Sequence, residues 1–151
     1  MGAPWSALAC WWRRWRPHAH VGDALLALPF LLDTLGNLLG FYDEYPQTDD
    51  VLHALNWILL VLAFHAFRFR NTDHTRDTVF LGYGFGAITI IWWEAMEWAV
   101  SKDGWGGADG LALTYEDTIG DLILSSTGGL IGSLLGVWWL GRKAPPENDA
   151  G

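Results

Sequence analysis

Carboxylates and one histidine recur inside otherwise apolar stretches of this 151-residue chain. Asp33 and Asn37 interrupt the first stretch, and His53 and Asn56 the second, with Asp50 at its edge. Glu94 and Glu97 interrupt the third, and Asp121 the fourth, with Asp117 at its mouth. Oxygen donors with a single imidazole suit Mn, Fe, Zn or Ca rather than a metal that prefers thiolates. Acids and histidines three residues apart on facing helices are also how di-iron bundles hold metal. Here the pairs are Glu94-Ala-Met-Glu97 and Asp50-Val-Leu-His53, not the Glu-x-x-His of those proteins. The candidate ligands of a divalent cation are Asp33, Asp50, His53, Glu94, Glu97, Asp117 and Asp121. Glu94 and Glu97 are also the candidate catalytic groups, if a bound metal activates water or polarises a headgroup. No organic cofactor is indicated. No nucleophile stands out either, since Ser125 and Ser126 have no histidine on a neighbouring turn. The single cysteine, Cys10, excludes a disulfide framework and a zinc-finger cluster.

The elements that must position these groups are long and apolar. Residues 21–40, 51–67, 79–100 and 119–140 form four stretches of 17 to 22 residues. At ~1.5 Å per residue they cover roughly 26–33 Å, close to the ~30 Å hydrocarbon core of a bilayer. A soluble bundle would need a polar stripe along each helix, and residues 58–64 and 87–93 leave none. Composition agrees: 51% of residues are hydrophobic, only 17% are charged, and eleven are tryptophan. The net charge of −8 argues against a nucleic-acid partner, because phosphate contacts need a basic surface. The expected fold is an all-α integral membrane protein, a bundle of four transmembrane helices.

Basic residues set the expected topology. Arg13, Arg14 and Arg16 precede the first span, Arg68, Arg70 and Arg76 lie between the second and third, and Arg142 and Lys143 follow the fourth. Only Lys102 falls on the other side, so the positive-inside rule places both termini in the cytoplasm. Residues 1–20 read as a basic, Trp-rich interfacial segment with Trp11, Trp12 and Trp15, and residues 141–151 as a disordered tail. Trp92, Trp93, Trp98, Trp138 and Trp139 sit near span ends, as in an aromatic belt. Pro29 should weaken or kink the first helix, because it cannot donate to the Leu25 carbonyl.

With that topology, every acid named above falls in the outer third of the membrane, whereas Asp23 lies at the inner end. At ~100° per residue, Asp117 and Asp121 are ~40° apart, and Asp121 is ~20° from Gly128 and Gly132. Gly128, Gly132 and Gly136 form a small-residue stripe of the kind that lets helices approach closely in lipid. The acidic faces are therefore packing faces. An ionised Asp near mid-membrane costs about 2.5–3.5 kcal/mol, less toward the interface. A bound cation would neutralise the cluster. So would protons shared in a hydrogen-bonded network, with Asp50 and Asp117 as helix N-caps. An ion pathway is a third reading, but only Asp23, Asn56 and Thr89 could continue it inward.

The chain resembles the YjdF-like family of small bacterial integral membrane proteins and, more distantly, VanZ-like proteins. The matching elements are Asp49-Asp50-Val-Leu-His53, Trp93-Glu94-Ala-Met-Glu97 and Asp117-Thr118-Ile-Gly-Asp121, followed by Gly128-Gly129-Leu-Ile-Gly132. VanZ-like proteins have Lys where Asp50 stands and Gln where Glu97 stands, so their antibiotic-resistance role is not carried over. The resemblance implies a multi-pass protein of the bacterial plasma membrane and names no reaction. Two functions stay open beside the ion pathway. One is a metal-binding protein acting at the outer leaflet. The other is a non-catalytic accessory subunit whose partners, besides the lipid bilayer, are further copies or a larger membrane complex.

Overall fold

The computed structural model describes residues 19–69, 75–103 and 114–141. It contains α1 (Ala19–Leu38), α2 (Phe41–Glu44), α3 (Thr48–Arg68), α4 (Thr75–Asp103) and α5 (Tyr115–Gly141). Four of these are long and apolar enough to cross a membrane, and no strand occurs among the described residues. Helices α3, α4 and α5 overrun the sequence-based spans, most of all α4, whose first and last turns carry polar residues that hydropathy alone discards, and α5, whose first turn does. Helix α1 instead starts and ends two residues earlier than its span. The segments 1–18 and 142–151, with Trp11, Trp12 and Trp15, lie outside the described residues.

The connection between α1 and α3 is structured. Gly40, at φ 72°, takes the left-handed turn that ends α1, a conformation glycine adopts without steric cost. The chain then makes the single turn of α2, and the Thr48 hydroxyl donates to the Phe41 carbonyl at 2.9 Å, tying the start of α3 to α2. Helix α1 runs through Pro29 without a break in its assignment.

Helix α3 is the centre of the bundle. It packs most extensively on α5, then on α1, and more lightly on α4, which leans mainly on α5. Glycine makes the α3–α5 approach close enough. A Cβ at Gly128 would overlap the Ala54 carbonyl oxygen, and one at Gly132 would lie 2.7 Å from the Ile58 oxygen. Both obstacles are backbone, which cannot step aside. The glycine stripe is thus occupied by α3 of the same chain. Facing outward are large apolar side chains such as Phe30, Phe80, Ile88, Trp92, Trp98 and Ile123. Buried inside are His53, His65, Glu94, Asp121, Ser125 and Ser133. A polar interior under an apolar exterior is the distribution that a lipid solvent selects.

Candidate metal centre

Asp49, His53 and Asp121 meet where α3 and α5 begin. Each offers a ligand atom, and the three atoms lie within 4.8 Å of one another. His53 Nε2 is 3.8 Å from Asp49 Oδ1 and 3.6 Å from Asp121 Oδ1, too long for hydrogen bonds. Two atoms held ~2.0–2.2 Å from a tetrahedral ion would stand ~3.3–3.6 Å apart. The gaps are therefore close to the size that an ion, rather than a proton, bridges. His53 and Asp121 are buried and Asp49 is half-buried.

The orientation of His53 follows from its neighbours. The Ser125 hydroxyl is 3.0 Å from His53 Nδ1 and donates toward the His53 backbone carbonyl, at 3.5 Å. In the tautomer protonated at Nδ1, the hydroxyl accepts from Nδ1–H and the Nε2 lone pair faces the two carboxylates. The Trp57 indole stacks on the imidazole at 5.8 Å and 8°, and its own Nε1–H donates to the Gly86 carbonyl. The ring is thus held in plane. Ser125, His53 and Asp121 are also the residue types of a nucleophilic triad. Ser125 is fully buried, however, so its hydroxyl meets no substrate.

Further acids surround this trio. Glu94, on α4, is 8% exposed, and its Oε1 is buried with no hydrogen-bond partner. Glu97, Asp121, Asp117 and Asp49 are the charges that act on it. Glu97 accepts a 2.8 Å hydrogen bond from Trp93 Nε1. Asp33 accepts one of 2.6 Å from the Tyr42 hydroxyl, which α2 carries to the edge of the cluster. Burial, and then the Asp33 carboxylate, push the Tyr42 hydroxyl well above its ordinary range and keep it protonated. Among the described side chains, the positive charges Arg68 and Arg76 lie at the other end of the bundle. The cluster has no described countercharge.

Of the residues singled out in the sequence, His53 and Asp121 come together, Asp33 and Glu97 line the same cavity as His53, and Glu94 and Asp117 lie within reach of their charges. Asp50 is exposed on the first turn of α3, and its neighbour Asp49 is the acid beside His53. The i, i+4 relation of Asp49 to His53 was the available signal, since residues four apart lie ~40° apart on a helix. Neither Asp50 nor Asp117 is an N-cap. Gln47 precedes α3, and at α5 the Thr114 hydroxyl accepts from the Asp117 amide at 3.1 Å. Both acids sit instead in first turns, where negative charge complements the helix dipole.

A second histidine–serine pair, unremarkable in sequence, lies in the opposite half. His65 is fully buried, with Nε2 3.1 Å from Ser133 Oγ, which donates to the Val79 carbonyl at 2.8 Å. Gly82 and Gly136 make room for this imidazole, because a Cβ at either would overlap it. The pair ties α3, α4 and α5 together at that end.

No curated protein and no solved structure matches the chain. A family model described as "Predicted membrane protein (DUF2238)" does match, over residues 5–142. That is the YjdF-like family anticipated from the three acidic motifs, and the finding does not extend to VanZ-like proteins. With four membrane-length helices and a family match over nearly its whole length, the chain belongs to this DUF2238 family of multi-pass membrane proteins.

Proposed function

We propose that this protein holds a divalent cation on Asp49, His53 and Asp121, with Glu94 as a fourth donor or an adjacent base. The observation that supports it best is the placement of His53 Nε2 between two carboxylates at 3.6 and 3.8 Å, with an unpartnered Glu94 oxygen in the same acidic cluster. Two carboxylates and a neutral imidazole together balance a charge of two. The mixed oxygen–nitrogen set favours Zn, Mn or Fe over Ca, which prefers oxygen alone. The Lys/Arg asymmetry supports an orientation with this end at the outer face of a bacterial plasma membrane and both termini inside. A metal there would polarise a headgroup or activate water at the outer leaflet, with Glu94 or Glu97 taking the proton.

A second reading has its own support. Tyr42–Asp33, Trp93–Glu97 and Ser125–His53 are internal hydrogen bonds that would equally organise a protonated, non-catalytic core in an accessory subunit. Titrating Zn²⁺, Mn²⁺ and Ca²⁺ into chelator-treated protein in detergent separates the two. Metal binding predicts a saturable rise in melting temperature that Asp121→Asn abolishes. The same flat response in wild type and Asp121→Asn would leave only the protonated core.

A further inference from the structure

Beside the candidate metal centre, a cavity of about 60 Å³ opens between α1, α3 and α4. Its walls include Asp33, Tyr42, Asn56, Trp57, Trp93 and Glu97, and the candidate metal ligands Asp49 and His53 close one side of it. Trp57 and Trp93 form a corner, with ring centroids 6.2 Å apart and planes at 78°. The hydroxyl and indole donors of these walls are already engaged: Tyr42 donates to Asp33, Trp57 to Gly86 and Trp93 to Glu97. What remains for a ligand is the Asn56 amide, carboxylate acceptors and ring faces. Asn56 Oδ1 is buried and has no partner. Asp33 and Glu97 each have a second carboxylate oxygen, to which no hydrogen bond is assigned among the described residues.

A second cavity, of about 70 Å³, shares Asp33, Asn56, Trp57 and Trp93 and continues over Pro29, Phe30 and Leu60. One end of the combined crevice is anionic and aromatic, and the other is apolar. Its rim is open, since Phe30 is 61% and Trp93 37% exposed on the surface that faces lipid. A neutral polar ligand would leave the carboxylates uncompensated, and an anion would be repelled. A cation carrying N–H donors satisfies the acceptors, and the indole faces attract its charge.

We infer that this crevice is a binding site for a lipophilic primary ammonium, its charged head among Asp33, Asn56, Trp57, Trp93 and Glu97 and its apolar body along Pro29, Phe30 and Leu60. The ligand enters sideways, from the bilayer, between α1 and α4. The site shares its Asp49 and His53 wall with the proposed metal centre, so it is tested on metal-free protein.

The test uses full-length protein in a non-ionic detergent, stripped of metal with chelator, so that failure of the metal assignment does not affect it. Calorimetric titration with 2-phenylethylammonium should saturate, whereas 2-phenylethanol, which keeps the ring without the charge, should not bind. Asp33→Asn and Trp93→Ala should each weaken the ammonium about tenfold, the effect of losing one desolvated charge or ring contact. Asp33→Asn retains the acceptor for Tyr42, so it reads charge rather than folding. Glu97→Gln does the same for Trp93 and serves if Trp93→Ala does not fold. Asp77→Asn, at the far end of α4, should leave the affinity unchanged. Equal binding of the alcohol, absence of saturable ammonium binding, or unchanged affinity in both Asp33→Asn and Glu97→Gln would overturn the inference.

Discussion

Asp49 and Asp50 are adjacent acids with different surroundings. Asp49 lies one turn before His53 and beside Asp121, whereas Asp50 is exposed. The sequence identifies the histidine and the depth of the cluster, because polar residues in apolar stretches stand out. It does not resolve which of two neighbouring acids faces the imidazole, since that depends on the rotation of α3 against α5. Ser125 was missed for a related reason: its partner, His53, is 72 positions away and no local spacing links them. Tyr42 offers a test at this scale. Its hydroxyl is held protonated in the fold, so the stability it contributes is complete below its ordinary pKa of 10.0 and declines as pH rises beyond it. The melting-temperature gap between wild type and Tyr42→Phe should be constant from pH 7 to about 9 and narrow above about 10. A gap that widens in alkali would show that ionised Tyr42 is the form the fold prefers.

Helices were the most legible feature, because four apolar runs of bilayer length admit few other structures. Their ends were less so. Thr75–Thr78 and Lys102–Asp103 belong to α4 although they are polar, since backbone hydrogen bonding continues past the apolar core of the span. The glycine stripe on α5 was visible as a period of four, but its partner was not, and α3 is that partner. Gly128→Ala should destabilise the protein by about 1–3 kcal/mol, because the new methyl meets backbone at Ala54. Gly84→Ala and Gly120→Ala have open space and should be neutral or mildly stabilising through helix propensity. Equal melting temperatures for Gly128→Ala and Gly84→Ala would mean that α3 and α5 do not pack as described.

Across the whole molecule, polarity is arranged inside out and charge end to end. Acids gather where α3 and α5 begin, and the described arginines, Arg68 and Arg76, flank the opposite connection. Single cysteines at Gly107 and Asn71, in a Cys10→Ser background, should label from outside and inside the cell respectively. Labelling of both from one side would reject the topology. The central claim, a cation held at the acidic end, is tested most directly by metal content. Elemental analysis of protein purified without added metal should find about one divalent ion per chain bound by wild type. It should find a clear loss in Glu94→Gln and Asp121→Asn, and no loss in Asp23→Asn at the other end of the bundle. Unchanged stoichiometry in Glu94→Gln and Asp121→Asn, together with raised melting temperatures, would contradict it, because neutral isosteres remove ligands from a cluster that holds a cation and are tolerated by one that does not.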